Sequence, residues 1–229
     1  WTSGLLTLEL SAIRSELPET GNPVIHGFKG SCYYFHYGLQ GIDDRGWGCG
    51  YRTLQTILSW FLLNHYSAFE MPDLFQIQEL LCDIGDKPEN FHRSKEWIGS
   101  FECGVVVELL TQVKVQHRPE TTAQQNFRLL HVPKGSFTGK QLDILRNHFI
   151  DVGSPVMMGG CEDSSSKGVL AIRESLCKTE LLICDPHLHN SGEEPSLQEV
   201  CSKGWIKWQD TTELREHAFY NLCLPLLSL

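Results

Sequence analysis

The sequence lacks any long hydrophobic run. Its longest, such as Val105–Val107 and Leu181–Cys184, fall far short of the ~18 apolar residues needed to cross a bilayer, so no membrane span is expected. It also lacks a surplus of basic charge. With 19 Lys and Arg against 28 Asp and Glu, the formal charge is −9, which speaks against a nucleic-acid surface and for a neutral or basic protein partner. No two cysteines have C-x-x-C spacing. The nearest metal-type cluster, Cys184, His187 and His189, has no second ligand knuckle at zinc-site distance, so neither metal nor cofactor is called for.

Internal repeats, low-complexity tracts and Gly/Ser- or Pro-rich linkers are absent as well. One domain is therefore expected, with residues 1–23 as a lead-in and 24–229 as the folded unit. Apolar residues at 41% and charged residues at 21% are close to the averages of folded proteins, which excludes disorder. The nine cysteines are odd in number and follow no signal-peptide pattern, so free thiols in a reducing compartment, the cytoplasm, are expected. The sequence begins at Trp1 rather than Met, and a longer parent stays open.

What is present is a change of period along the chain. Leu5, Leu8, Leu10 and Ile13 give a helical signal ending near Pro18. Residues 24–37 read as short strands with a turn, followed by a Gly-rich loop from Gly38 to Gly50. From Cys49, the apolar positions Tyr51, Leu54, Ile57, Leu58, Phe61 and Leu62 predict a helix with one buried stripe. Further helices are predicted over 72–84, with Pro72 in the first turn and Gly85 as stop, and over 97–112 and 138–150. Strands follow at Pro155–Met158, Val169–Ile172, Leu181–Cys184, Trp205–Trp208 and Phe219–Leu222. Helices in the first half and an antiparallel sheet in the second make the fold class α+β.

Two places carry chemistry. Cys49 sits where the glycine-rich loop becomes a helix, so unpaired N–H groups and the helix dipole favour its thiolate; a buried, inert cysteine is the competing reading. Asp185-Pro186-His187 ends an apolar strand. Residues two apart share a strand face, so the Asp185 carboxylate can orient the His187 imidazole toward a thiol. A strand-end turn with a solvated histidine reads equally from those residues alone. Tyr37 belongs to an aromatic cluster that is also a plausible core strand, and Trp47 is readable either as a groove residue or as packing.

Taken together, His36–Gly38, Asp43–Thr56, Gly85–Pro88, Trp97–Gly99, Pro155–Gly160, Asp185–His187 and Tyr220–Cys223 resemble, in order and spacing, the proteases specific for ubiquitin-fold modifier 1, a papain-like group of cysteine peptidases. The resemblance implies Cys49 as nucleophile, His187 as general base, Asp185 as its orienting residue and Tyr37 as a hydroxyl donor to the oxyanion. It implies Trp47, Gly48 and Trp97 as substrate-binding residues. The implied activity is thiol-dependent cleavage after the modifier's C-terminal glycine, maturing its precursor and releasing it from target lysines. A monomer is expected, acting on that modifier in the cytoplasm, with recruitment to the endoplasmic reticulum surface by an adaptor left open. Autophagy-type cysteine proteases share Gly-Trp-Gly-Cys and Asp-Pro-His, but the residues from Gly50 to Thr56, Gly85–Pro88 and Tyr220–Cys223 favour the first family. A non-catalytic module that binds the modifier is the remaining alternative. Residues 101–131 match no functional motif.

Overall fold

The periodicity after Cys49 produces α2 (Cys49–Leu63), the helix on which the rest of the molecule is assembled. The computed structural model describes residues 4–18, 22–111, 127–160, 165–189 and 193–227. The sequence predicts one buried stripe, whereas every residue of α2 from Cys49 through Phe61 is buried. The difference lies in the polar positions, which bond to neighbouring chain instead of facing water. Phe35 N–H donates to Thr56 Oγ1 (3.2 Å), Tyr33 N–H to Ser59 Oγ (2.8 Å), and Gln55 Nε2 to the Pro72 carbonyl (2.8 Å). Burial of polar groups is tolerated when they are satisfied in this way. Leu54, Ile57, Leu58 and Trp60 are fully or almost fully enclosed, each contributing about 1.5–3 kcal/mol of transfer free energy. Packing therefore holds the start of α2 in place, since Gly48 supplies no side-chain cap.

Seven antiparallel strands form the main sheet. Their order is β4 (Phe127–Val132), β9 (Tyr220–Pro225), β5 (Val156–Gly160), β6 (Ser166–Glu174), β7 (Thr179–Cys184) and β8 (Ile206–Asp210), with β2 (Val24–Gly27) added along β6. Successive side chains enter opposite layers, as the two-residue strand period demands. Met157, Leu182 and Cys223 pack in the cluster that contains α2, while Met158, Ile183 and Leu222 pack with Leu145 and Phe149 of α5 (Gly139–Asp151). The α+β segregation predicted from sequence is present.

Several local expectations are corrected. The lead-in signal from Leu5 becomes β1 (Thr7–Glu9) before a short α1 (Leu10–Glu16), because Leu8 is buried opposite Cys32 in β3 (Ser31–Tyr33). Tertiary pairing overrides the local preference. The two strands of 24–37 do not pair with each other: β2 joins β6 and β3 joins β1. Helix α3 (Leu74–Asp83) starts from a capping box on Asp73 rather than with Pro72 in its first turn, and Gly85 follows at φ 77°, the left-handed stop favoured by glycine. Helix α4 (Ser100–Thr111) realises the 97–112 expectation. Strand β4 and the short α6 (Leu197–Ser202) were not foreseen; residues 112–126 lie outside the described residues.

Candidate active site

Two arms meet at the start of α2. The first is the loop running into Cys49, fixed by a carboxylate with no access to solvent. Asp44 Oδ1 accepts from Gly38 N–H (2.8 Å) and its Oδ2 from Arg52 Nε (2.7 Å). The Arg52 guanidinium also donates to Gln40 Oε1 (2.8 Å) and the Leu39 carbonyl (2.8 Å). Both side chains of this ion pair are 0% exposed. Such a pair is tolerated because every charged edge meets a partner, and it ties the loop to the second turn of the helix.

The same packing revises two expected groove residues. A Cβ at Gly48 would overlap the Asp44 carboxylate, so this glycine makes room for the buried acid. Trp47 is buried, edge-on to Tyr51 and stacked on Phe75. It stands behind the nucleophile, and neither residue lines the cleft. Trp97 does line it, half-exposed, with its indole N–H donating to the Gly46 carbonyl (2.9 Å).

The second arm is the end of β7. The sequence places Asp185 and His187 on one face of a strand; instead the strand stops at Cys184 and the chain turns through Pro186 and His187. The turn brings the pair closer than a strand would. Asp185 Oδ1 accepts from both the His187 backbone N–H (3.0 Å) and ring Nδ1 (2.5 Å). Cys49 stands close enough to the ring for each group to shift the ionisation of the other. Burial opposes the imidazolium, but the Asp185 carboxylate and the Cys49 sulfur outweigh it and push His187 up to about 9. Burial likewise opposes the Cys49 thiolate; His187 and the Ser166 N–H, which donates to Sγ (3.5 Å), bring the thiol below its usual range. Opposite shifts on adjacent groups favour a thiolate–imidazolium pair.

Tyr37 joins the two arms. Its backbone N–H donates to the Pro186 carbonyl (3.0 Å), and its ring lies edge-on to His187 with centroids 5.1 Å apart. Its hydroxyl is buried beside the Cys49 sulfur and has no hydrogen-bond partner of regular geometry among the described residues. Burial and the adjacent Cys49 push the phenol above its usual range.

A cleft of about 310 Å³ opens at Cys49. One wall is Trp97–Ser100; Gly159, Gly160, Ser166 and the exposed ring of Phe219 form the other. The first wall is heavily restrained. Tyr51 Oη donates to the Glu96 carbonyl (2.9 Å), Gly99 N–H to Glu102 Oε2 (2.9 Å), and Ser100 Oγ to the Asn221 carbonyl (2.7 Å). Gly50 presses on this wall, since a Cβ there would lie 2.5 Å from the Ile98 carbonyl oxygen. Sequence reasoning assigned no role to Ser100, Ser166 or Asn221. They carry no catalytic signature; the pairing of β5, β6 and β9 collects Ser166 and Asn221, and a hydrogen bond to the Asn221 carbonyl adds Ser100 from α4. Among the described residues no group of three His, Cys, Asp or Glu side chains is placed to hold a metal, and no helix is long and apolar enough to cross a membrane.

Comparison with known proteins gives a consistent result. The chain is 38% identical over 208 residues to Ufm1-specific protease 2 of Mus musculus, covering 91% of this chain and 42% of that protein. It is 37% identical over 196 residues to Ufm1-specific protease 1 of Mus musculus, covering 85% of this chain and 82% of that one. A probable Ufm1-specific protease of Oryza sativa is 34% identical over 231 residues, covering 94% of this chain and 33% of its own length. The chain thus spans about two fifths of the first of these relatives. The crystal structure of UfSP from C. elegans superposes with a TM-score of 0.78 at 28% identity, over 99% of this chain and 38% of that one. The fold, a cysteine-bearing helix packed on an antiparallel sheet, is papain-like. The profile of peptidase family C78 matches residues 24–223, and the chain belongs to that family.

Proposed function

We propose that this chain is a thiol-dependent peptidase that cleaves after the C-terminal glycine of ubiquitin-fold modifier 1. It would act on the precursor and on conjugated lysines, as a monomer in the cytoplasm, with residues 24–229 as the peptidase domain behind the 1–23 lead-in. The carrying observation is the His187 ring, held at Nδ1 by Asp185 and close enough to Cys49 to lower the thiol while the sulfur raises the imidazole. That is the base-and-orienter arrangement of a nucleophilic triad.

In this mechanism the Cys49 thiolate attacks the glycine carbonyl and forms a tetrahedral oxyanion. Tyr37 Oη, buried beside the sulfur without a regular partner, supplies a donor that the oxyanion satisfies. His187 then gives its proton to the leaving amine, and water, deprotonated by the same ring, hydrolyses the thioester. Gly99, Gly159 and Gly160 on the cleft walls suit a substrate end without a side chain at the reacting residue.

The test is incubation with ubiquitin-fold modifier 1 carrying a thiol-trapping electrophile at its terminal glycine, beside Cys49→Ala and an equivalent ubiquitin probe. An adduct with the first probe alone, lost in the variant, supports the proposal. A folded protein that forms none is not this enzyme.

A further inference from the structure

The Asp185 carboxylate has a second cationic partner that the triad does not use. Its Oδ1 is occupied by His187, while Oδ2 lies 3.3 Å from Lys167 Nζ. We propose that Lys167 is a positioning residue for the triad: from the neighbouring strand it holds the carboxylate with one oxygen toward His187, and its charge sets the pH range in which Cys49 is reactive. This rests on the triad reading above and extends it to β6.

Register installs the lysine. The β6–β7 ladder ends with Gly168 facing Cys184, and the next residues beyond that last pair, Lys167 and Asp185, meet through their side chains. On its other edge Lys167 pairs with Met158 of β5, so the strand carrying it is held on both sides. The residue before it, Ser166, donates its N–H to Cys49 Sγ. Two consecutive residues at the start of β6 thus touch the nucleophile and the orienting acid, coupling both arms to one strand end.

The charge acts in a definite direction. The groups facing this cluster are Cys49 from α2, Tyr37 and Asp44 from the preceding loop, Tyr34 against the Asp185 carbonyl with Glu194 near it, Cys184 on β7, His189, bridged through its backbone to Tyr37, and Glu213 and Arg215, which line a pocket with Lys167. Among the lysine and arginine side chains of the described residues, Lys167 is the one in ion-pair contact with Asp185. A nearby positive charge favours thiolate and disfavours imidazolium, so its removal moves the titration of both groups to higher pH. It also frees Asp185 Oδ2, allowing the carboxylate to rotate away from Nδ1. The side chains of Lys167 and Asp185 are 26% and 17% exposed, so salt weakens the effect without abolishing it.

The experiment reads Cys49 without any modifier. The pH dependence of iodoacetamide alkylation is followed by peptide mass spectrometry, with the exposed Cys177 as an internal reference, in the native sequence, Lys167→Met and Lys167→Arg. Lys167→Met moves the acid limb of Cys49 upward by about 0.3–0.5 pH unit at low salt, about a two- to threefold lower rate on that limb. The shift shrinks in 1 M salt, and Lys167→Arg restores the native profile. Coincident profiles for native protein and Lys167→Met, both folded by circular dichroism, overturn the inference, as does an arginine variant that behaves like the methionine one. Lys167→Gln serves if Lys167→Met does not fold. A native Cys49 no more reactive than Cys177 instead overturns the triad reading, and this inference with it.

Discussion

The molecule carries two charged networks around one sulfur, and they differ in water. Asp44–Arg52, on the nucleophile's side, is sealed at 0% exposure. Asp185, with His187 and Lys167 on the base's side, is reached by solvent, with side-chain exposures between 17% and 30%. In the dry pair no water can stand in for either partner, so it fixes geometry. The wetter cluster can exchange protons, as the proposed chemistry requires. One charge pattern, carboxylate with cation, thus serves opposite ends according to burial.

Four measurements sharpen or break this contrast. Replacing the orienting acid, Asp185→Asn, is expected to lower kcat/KM about a thousand- to ten-thousandfold, because the imidazole loses its tautomer and orientation. The urea midpoint should move little; a large fall would place Asp185 with the structural network instead. Arg52→Met strands the Asp44 carboxylate in the core and should cost about 3–5 kcal/mol of stability, read as a lower urea midpoint at unchanged m-value. A stable variant with lost activity would reverse the division of labour.

Tyr37→Phe removes a donor that is used only once the oxyanion forms. A fall in kcat of about a hundredfold with little change in KM is expected, measured in steady state on a modifier precursor; equal loss in KM would make the hydroxyl a ground-state contact. The smallest effect is on stability against pH. Because folding raises His187 from 6.5 to about 9, its contribution is full below 6.5 and is lost as pH rises through about 9. The Tm difference between the native protein and His187→Gln should narrow across that window, and a difference that grows with pH would contradict the raised ionisation.

The site was partly legible in the sequence, for reasons that can be traced. Cys49 announced itself because loop glycines and the onset of 3.6-residue periodicity are both local signals. Asp185 and His187 were legible as a pair although the predicted geometry, one strand face, gave way to a turn; two residues apart they meet in either conformation. Trp47 and Gly48 were read toward the groove because a ring beside a glycine resembles a slot, and nothing local reveals that Asp44 fills the space behind them. Arg52 is three residues from Cys49 yet pairs with an acid eight residues back across a turn, which periodicity does not report. Lys167 was invisible: only the end of the β6–β7 ladder brings it to Asp185. Strand β4 escaped because its burial comes from pairing with β9, nearly ninety residues away along the register from Val132↔Tyr220.

The contact of Gly50 with Ile98 bears on what can be processed at all. With no Cβ to spare between helix and wall, and with that wall bonded at Glu96, Gly99 and Ser100, the cleft behaves as a slot of fixed gauge. It cannot widen for a folded segment without tearing its own supports. A thin chain end fits, and a compact surface does not.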